Sequence, residues 1–184
     1  MFSWQARSTG GFRSRNRDLR EAGYSLVELV TVVAIVGIMA AIAVPTFINI
    51  MPKIRLGGAV QTLANEIALS RMAAIAKSTE YQVVFDTAGE SYSLRQFVGG
   101  GWGQNTTTKV GGFADIVSVA YLDGTTAPAA LQLYANGTTS VPMSKQVLTI
   151  TLQTRDTLVK KRVVVWNTGR VYSEKWAGNA WIKD

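Results

Sequence analysis

The side chains that most often perform chemistry in proteins are missing from this sequence. Its 184 residues include no cysteine and no histidine. Disulfides, thiolate chemistry and the commonest metal ligand and general base at neutral pH are therefore absent. Acidic residues remain, but none of them form a pair whose spacing is typical of a general acid and base. We therefore predict that the chain is not an enzyme and that it needs no metal and no cofactor.

A glycine-rich stretch, Gly99–Gly112, is the only candidate for a phosphate-binding loop. It contains six glycines in 14 residues. However, it lacks the Gly-Lys-Ser/Thr ending of such loops, and no strand-loop-helix pattern surrounds it. The composition instead predicts a flexible loop between two strands.

Glu28 is the carboxylate in the most unusual position. It directly precedes Leu29–Pro52, a run of 24 residues without charge, and follows an arginine-rich segment. About 20 apolar residues span a bilayer as a helix, and an arginine cluster keeps its side in the cytoplasm. The run could be a plain anchor, or a secretory signal peptide with Ala41-Ile42-Ala43 as its cleavage site. Neither has a use for a carboxylate that costs about 2.5–3.5 kcal/mol at the bilayer centre and less near its edge.

A third interpretation accounts for Glu28. The segment Gly23-Tyr24-Ser25-Leu26-Val27-Glu28-Leu29 resembles the type IV prepilin cleavage motif, with Gly before the cut and Glu at the fifth mature position. Pro45 falls at mature position 22, where pilins commonly carry a proline. Tyr24 stands where Phe or Met is usual. The resemblance implies that a prepilin peptidase cuts between Gly23 and Tyr24 and that Tyr24 becomes an N-methylated terminus.

The same resemblance implies a role for Glu28 in assembly. Cleavage would expose an α-amino group at Tyr24, four residues before the carboxylate. In a filament, Glu28 of an incoming subunit would neutralise the amino group of its neighbour. Because two charges are tolerated in apolar surroundings only when they are paired, this pair would set the axial register of the subunits.

The elements that must carry these residues can be predicted from periodicity. One long helix is expected from Tyr24 to about Ser78, bent near Pro45–Pro52. Its second half is amphipathic, with a stripe at Val60, Leu63, Ile67, Arg71, Ala74 and Ile75.

From Tyr81 the period changes to two, which predicts strands. Tyr81–Phe85 and Tyr92–Val98 are expected to form a hairpin, and Val147–Gln153 a half-buried strand. Further strands are expected at Ile116–Leu122, Ala130–Tyr134, Val159–Trp166 and just after Gly169. The predicted fold is α+β, with a long N-terminal helix packed on antiparallel β-sheets.

The second half of the chain resembles the GspH/FimT pseudopilins. The matching residues are Leu131–Gly137, Leu148–Ile150, Arg162–Val165 and Gly169–Val171, together with Ala68–Ala74 in the helix. The resemblance implies one of two functions. The first is a minor pseudopilin of a type II secretion system, which helps to move folded proteins out of the cell. The second is a minor type IV pilin that binds DNA for uptake.

A basic cluster near the C-terminus bears on this choice. Residues 145–184 carry eight basic and three acidic side chains, whereas residues 56–144 carry four and six. Basic side chains neutralise phosphates and aromatic rings stack on bases, so a DNA site is one interpretation. Ordinary solvating charge is the other. The candidate residues are Lys160, Lys161, Arg162, Arg170 and Lys175, with Lys183 and with Trp166, Trp176 and Trp181 between them.

Together these features predict three segments: a leader at residues 1–23, a membrane-spanning and assembly helix at 24–52, and a periplasmic pilin-like domain at 53–184. The expected location is the bacterial inner membrane, crossed once, and then a pilus or pseudopilus. The expected partners are the prepilin peptidase, other pilins or pseudopilins, the inner-membrane assembly platform and, in the second function, DNA.

Overall fold

The computed structural model describes residues 24–110, 114–155 and 159–184, without the side chains of residues 104–106. The described chain divides after Ile42 into two units, residues 24–42 and Ala43–Asp184. Over the described ranges the elements are α1 (Leu26–Lys77), β1 (Tyr81–Asp86), β2 (Ser91–Val98), β3 (Gly101–Lys109), β4 (Ala114–Tyr121), β5 (Ala130–Leu133), β6 (Val147–Thr154), β7 (Lys160–Trp166), β8 (Val171–Trp176) and β9 (Trp181–Lys183).

In the first unit, α1 begins at Leu26 and no residue from Tyr24 to Ile42 is buried. The side chains are apolar, so an aqueous environment would leave a large apolar surface uncovered. Among the described residues, α1 is the one helix long and apolar enough to cross a membrane. Its length and composition therefore agree with the predicted membrane-spanning helix.

In the second unit, α1 becomes amphipathic and packs into the core. Its buried residues recur every three or four positions, the spacing of one helix face: Leu56, Val60, Leu63, Ala64, Ile67, Ser70 and Ala74. The predicted stripe is confirmed at Val60, Leu63, Ile67 and Ala74, whereas Ile75 is exposed. The helix ends where Ser78 takes a positive φ of 48° and Thr79 N–H donates to the Ala74 carbonyl at 3.1 Å.

The strands form two antiparallel sheets. The first has the order β3-β2-β1-β5 and the second the order β4-β6-β7-β8-β9. Buried residues of both sheets and of α1 belong to a single hydrophobic core. The predicted hairpin is confirmed as β1 and β2, with Tyr81 opposite Gln96 and Asp86 opposite Ser91. The α+β architecture is therefore the predicted one.

The flexible loop predicted at Gly99–Gly112 is wrong. Gly101–Lys109 is instead strand β3, which pairs with β2 along its length. Gly99 and Gly100 have φ of 63° and 85°, so they form the two-residue turn that joins β2 to β3. Two left-handed residues match the twist of a hairpin, and glycine adopts this conformation without steric cost. The glycines mark the turn, and the rest of the described stretch is strand; Gly111 and Gly112 lie outside the described residues.

Strand β6 differs from its predicted half-buried pattern. Leu148, Ile150 and Leu152 are buried as expected, but Thr149 on the other face is only 5% exposed. Its hydroxyl donates to the carbonyl of Ala120 on β4 at 2.9 Å. Because β6 lies between β4 and β7, strands flank both of its edges, and the side chain of Thr149 can reach a backbone carbonyl of its neighbour. Strand β9 was not predicted.

Candidate functional site

The predicted processing and assembly residues lie at the start of α1. Tyr24 is 83% exposed and Glu28 is in the first helical turn. With Leu29 and Val32 they line an open depression of about 260 Å³. Within the described part of the chain, no hydrogen bond or ion pair is formed by the Glu28 carboxylate. Gly23 lies outside the described residues, so its role in cleavage stays a prediction.

The local structure around Glu28 explains why the carboxylate can face outward. The Glu28 carbonyl accepts a hydrogen bond from the Thr31 hydroxyl at 2.8 Å, so the polar group of Thr31 is satisfied within the helix. Within residues 24–110, 114–155 and 159–184, the Glu28 side chain has no such partner. A carboxylate in apolar surroundings is costly unless it meets a cation. The site is therefore suited to receive a positive group from another molecule.

Four of the five predicted DNA-binding residues lie on the neighbouring strands β7 and β8 but not all on one face, and Arg170 lies just before β8. Lys161 lies opposite Lys175, and Arg162 opposite Glu174. Since side chains alternate along a strand, Lys161 and Lys175 share one face, while Lys160 and Arg162 share the other. These cations lie close together in sequence, but they lie on opposite faces of the sheet.

Three of these cations form ion pairs with carboxylates of the same chain. Lys161 Nζ donates to the Asp184 carboxylate, which keeps the pKa of Asp184 below its ordinary value. Lys175 Nζ lies 3.7 Å from the same carboxylate. Arg162 Nε donates to Glu174 Oε2 at 2.7 Å, and both side chains are largely buried. These pairs offset much of the positive charge that the sequence suggested for a polyanion.

Arg162 is also packed against an aromatic ring. Its guanidinium carbon lies 4.3 Å from the ring centroid of Trp181, within the range of a cation–π contact. Arg170 differs because it is exposed in the turn before β8, with its guanidinium carbon 5.6 Å from the Tyr172 ring centroid. Lys183 Nζ approaches the same ring at 5.7 Å. Arg170 is thus the most accessible of the predicted DNA-binding arginines.

The structure also assigns a role to Arg71 that periodicity missed. Arg71 Nε donates to the Gly137 carbonyl at 2.6 Å, and its terminal nitrogen to the Thr168 carbonyl at 3.3 Å. It thereby joins α1 to a turn that follows β5 in one sheet and a turn between β7 and β8 in the other. The available signal was an arginine in an otherwise apolar stripe, together with glycine turns at Gly137 and Gly169.

Buried Tyr92 and partly buried Glu66 form a second polar contact between α1 and the sheet. Burial raises the pKa of the Tyr92 hydroxyl, and its hydrogen bond to the Glu66 carboxylate raises it further. One oxygen of Glu66, Oε2, is buried and has no hydrogen-bond partner among the described residues. A tyrosine with this raised pKa keeps its proton at physiological pH, so the contact is structural and supplies no base.

Comparison with known proteins defines the class of protein. The family described as the prokaryotic N-terminal methylation motif matches residues 18–44. This range contains Tyr24, Glu28 and most of the apolar run, and the described residues after it continue α1 and form the antiparallel sheets on which it packs. The chain therefore combines a type IV prepilin-like methylation motif with a pilin-like fold.

Two solved structures show the similarity of fold. The minor pseudopilin EpsH of the type 2 secretion system of Vibrio cholerae aligns with 15% identity and a TM-score of 0.52, over 68% of this chain and 99% of EpsH. The type IV minor pilin FimU of Pseudomonas aeruginosa aligns with 13% identity and a TM-score of 0.51, over 71% of this chain and 94% of FimU. No curated protein sequence matches the chain. The predicted fold is confirmed, and the two similarities do not separate the two predicted functions.

Proposed function

We propose that this chain is a minor pseudopilin of a type II secretion system, a structural subunit of a periplasmic pseudopilus that assists protein export. The observation that carries the proposal is the first part of α1, where every apolar side chain is exposed and the Glu28 carboxylate has no partner within the described residues. A bundle of such helices would cover the apolar surface and supply an α-amino group for each carboxylate.

We propose that the protein exists first as a membrane-anchored precursor and then as a processed subunit of the filament. The precursor is anchored once in the bacterial inner membrane, with its C-terminal domain in the periplasm. A prepilin peptidase removes residues 1–23, Tyr24 is N-methylated, and the inner-membrane assembly platform adds the subunit to the filament. The methylation motif at residues 18–44 supports the processing step.

Processing is tested by N-terminal mass analysis of the protein extracted from membranes. The expected terminus is Tyr24 carrying an N-methyl group. A terminus at Val44 would instead identify the uncharged run as a cleaved secretory signal peptide, because Ala41-Ile42-Ala43 would then have been the cleavage site.

Assembly is tested by Glu28→Val, with Thr31→Val as the matched control. Both changes remove a polar group from the same turns of α1, but the Thr31 hydroxyl is already bonded within the helix. Cross-linking to other pilins or pseudopilins should fall at least tenfold for Glu28→Val, since a paired charge in apolar surroundings is worth more than about 1.4 kcal/mol. The control should cross-link normally. Equal cross-linking of both variants would refute the register role.

The second candidate function, a minor type IV pilin that binds DNA for uptake, is favoured by one observation. Arg170 is exposed beside Tyr172, so a phosphate and a base could be contacted together. The soluble domain from Lys53 onward should then shift DNA in a gel, with a log–log salt slope of about −0.9 per phosphate contacted. Changing Arg162, Arg170 and Lys175 to Gln should weaken binding to unrelated sequences about equally.

The two candidates give opposite results in the cell. If the pseudopilin proposal is right, deletion of the gene reduces the amount of secreted protein and leaves DNA uptake unchanged, and the soluble domain shifts no DNA even at low salt. Loss of DNA uptake with normal secretion would establish the second candidate. A secretin and a secretion ATPase encoded beside the gene favour the first, and pilus or competence genes favour the second.

A further inference from the structure

Two contacts fix how β7 lies along α1. Lys161 Nζ is 3.5 Å from the position that a Cβ on Gly57 would occupy, and the Arg71 guanidinium is 3.3 Å from the Thr168 carbonyl. The fourteen helix residues from 57 to 71 rise about 21 Å. The seven residue steps from 161 to 168, which comprise most of β7 and the first two residues of the following turn, extend at most about 23 Å. The two lengths agree, so β7 runs beside α1 in the same direction, away from the uncharged run.

Strand β8 returns toward the uncharged run. Lys175 lies opposite Lys161, and Trp176 is one residue further, opposite Trp181 on β9. Trp176 is therefore about 3 Å beyond the level of Gly57, and the turn at residues 177–180 extends further still. The uncharged run ends at Pro52, five residues or about 8 Å before Gly57. The turn of the β8–β9 hairpin thus lies level with the point where α1 leaves its uncharged run.

The chemistry of this hairpin suits a membrane surface. Trp176 and Ile182 are 40% and 48% exposed, and the rings of Trp176 and Trp181 pack with their centroids 5.3 Å apart. The side chain of Lys175 is about half exposed, and Lys53 and Arg55 are exposed on α1 at the same level. Tryptophan is enriched where the hydrocarbon of a bilayer meets its headgroups, and lysine and arginine are attracted to anionic lipids.

We infer that the β8–β9 hairpin docks on the anionic surface of the membrane in which α1 is anchored. This inference rests on the proposed membrane anchoring of α1. The headgroup layer on each side of the hydrocarbon is about 5–8 Å thick, which covers the level of the turn. A bilayer in contact with the hairpin turn would cover the end of the basic cluster near Trp176. A polyanion such as DNA would then be excluded from that end. The contact would hold the globular domain against the membrane until the subunit is drawn into the filament.

The absence of cysteine allows a direct test with the full-length chain. Asn179→Cys, in the hairpin turn, and Ala135→Cys, in an exposed turn near Arg71, each give one site for an environment-sensitive fluorophore. Each labelled protein is reconstituted into phosphatidylcholine vesicles, with and without phosphatidylglycerol, that contain a headgroup-attached quencher. The probe at residue 179 should be quenched and the probe at residue 135 should not. Quenching should be stronger in vesicles with phosphatidylglycerol.

A pair of matched variants then tests the chemistry of the contact. Trp176→Ser with Lys175→Gln, in the Asn179→Cys background, should lower the docked fraction at least fivefold, because one lysine at an anionic surface contributes about that factor in affinity. The control is Phe97→Ser with Lys77→Gln. Phe97 is 38% exposed and packs on Trp102 at the same 5.3 Å centroid distance, but it lies beside the far end of α1. The control should dock normally.

Flotation of the vesicles distinguishes a failure of the proposed membrane anchor from a failure of the hairpin docking. A chain that does not float overturns the membrane anchor and, with it, the docking inference. A chain that floats, but whose two probes are quenched equally, overturns the docking inference alone. Equal loss of docking in the variant and the control would also overturn it. So would a hairpin probe that responds to added duplex DNA and not to vesicles, because the surface would then bind nucleic acid.

Discussion

Gly169→Ala is the substitution whose cost the structure defines most clearly. Gly169 has a φ of 80°, and a Cβ there would lie 2.1 Å from Arg71 Nε and 2.4 Å from the Gly137 carbonyl oxygen. The Gly137 oxygen belongs to the backbone and cannot move away cheaply. The Arg71 side chain must therefore leave, which breaks the contacts that join α1 to both sheets.

Gly178→Ala is the matched control. Gly178 lies between β8 and β9 with a φ of 92°, and no atom of the described part of the chain lies within 4 Å of its Cβ position. An alanine with this φ costs about 1 kcal/mol, and that is the whole expected effect of the control. Gly169→Ala adds the loss of hydrogen bonds from a charged donor, at about 1.5–3 kcal/mol each. We expect a total of about 4 kcal/mol.

The assay is thermal and urea unfolding of residues 53–184, a segment that contains every described buried residue. At this chain length 1 kcal/mol corresponds to about 4 °C, so Gly178→Ala should lower Tm by about 4 °C and Gly169→Ala by about 15 °C. In an Arg71→Ala background the cost of Gly169→Ala should shrink, yet remain above that of the control, because the Gly137 oxygen is still in place. Equal shifts for the two glycine variants would refute the reasoning.

Three further predictions concern the same domain. Leu63→Ala should lower the free energy of unfolding by about 2–5 kcal/mol because Leu63 is fully buried, whereas Leu69→Ala, 62% exposed, should change it by less than about 0.5 kcal/mol in urea unfolding. Gly100→Ala should cost about 1 kcal/mol in the same measurement, because its φ is 85° and its Cβ position is open. Lys161 holds the pKa of Asp184 below 3.8, so the Lys161–Asp184 ion pair stabilises the folded state above that pH. This stabilisation is lost as the pH falls through the folded-state pKa of Asp184. Asp184→Asn should remove this part of the pH dependence of Tm.

Much of the fold could be predicted because its signals are local. The uncharged run, the three-to-four spacing of α1 and the alternation in β1, β2 and β6 are each readable within a few residues. The error at Gly99–Gly112 arose because glycine signals both a loop and a tight turn. Pairing with β2 resolves it, and strand pairing is a contact between segments.

The candidate site residues also fall into two groups: those that could be recognised from the sequence and those whose pairing depends on the fold. The Tyr24 and Glu28 spacing lies within one helical turn or so, and the sequence alone is sufficient to recognise it. The basic cluster looked continuous in sequence, but the alternation of side chains along β7 and β8 separates its members. Their partners, Glu174 and Asp184, are 12 and 23 residues away from Arg162 and Lys161. The number of charged residues can be read from the sequence, but the register of the strands decides which of them form ion pairs.

Taken by itself, the sequence determined the class of this protein: a prepilin-like motif, an uncharged helix with one carboxylate at its edge, and an amphipathic helix that needs a sheet. These follow from short-range periodicity and from the cost of placing a charge in apolar surroundings. The tertiary structure alone decided what Arg71 does, because its acceptors are 66 and 97 residues away. It also decided that the turn of the β8–β9 hairpin lies level with the end of the uncharged run. Both depend on how distant segments pack, and packing is set by the whole core rather than by any local pattern.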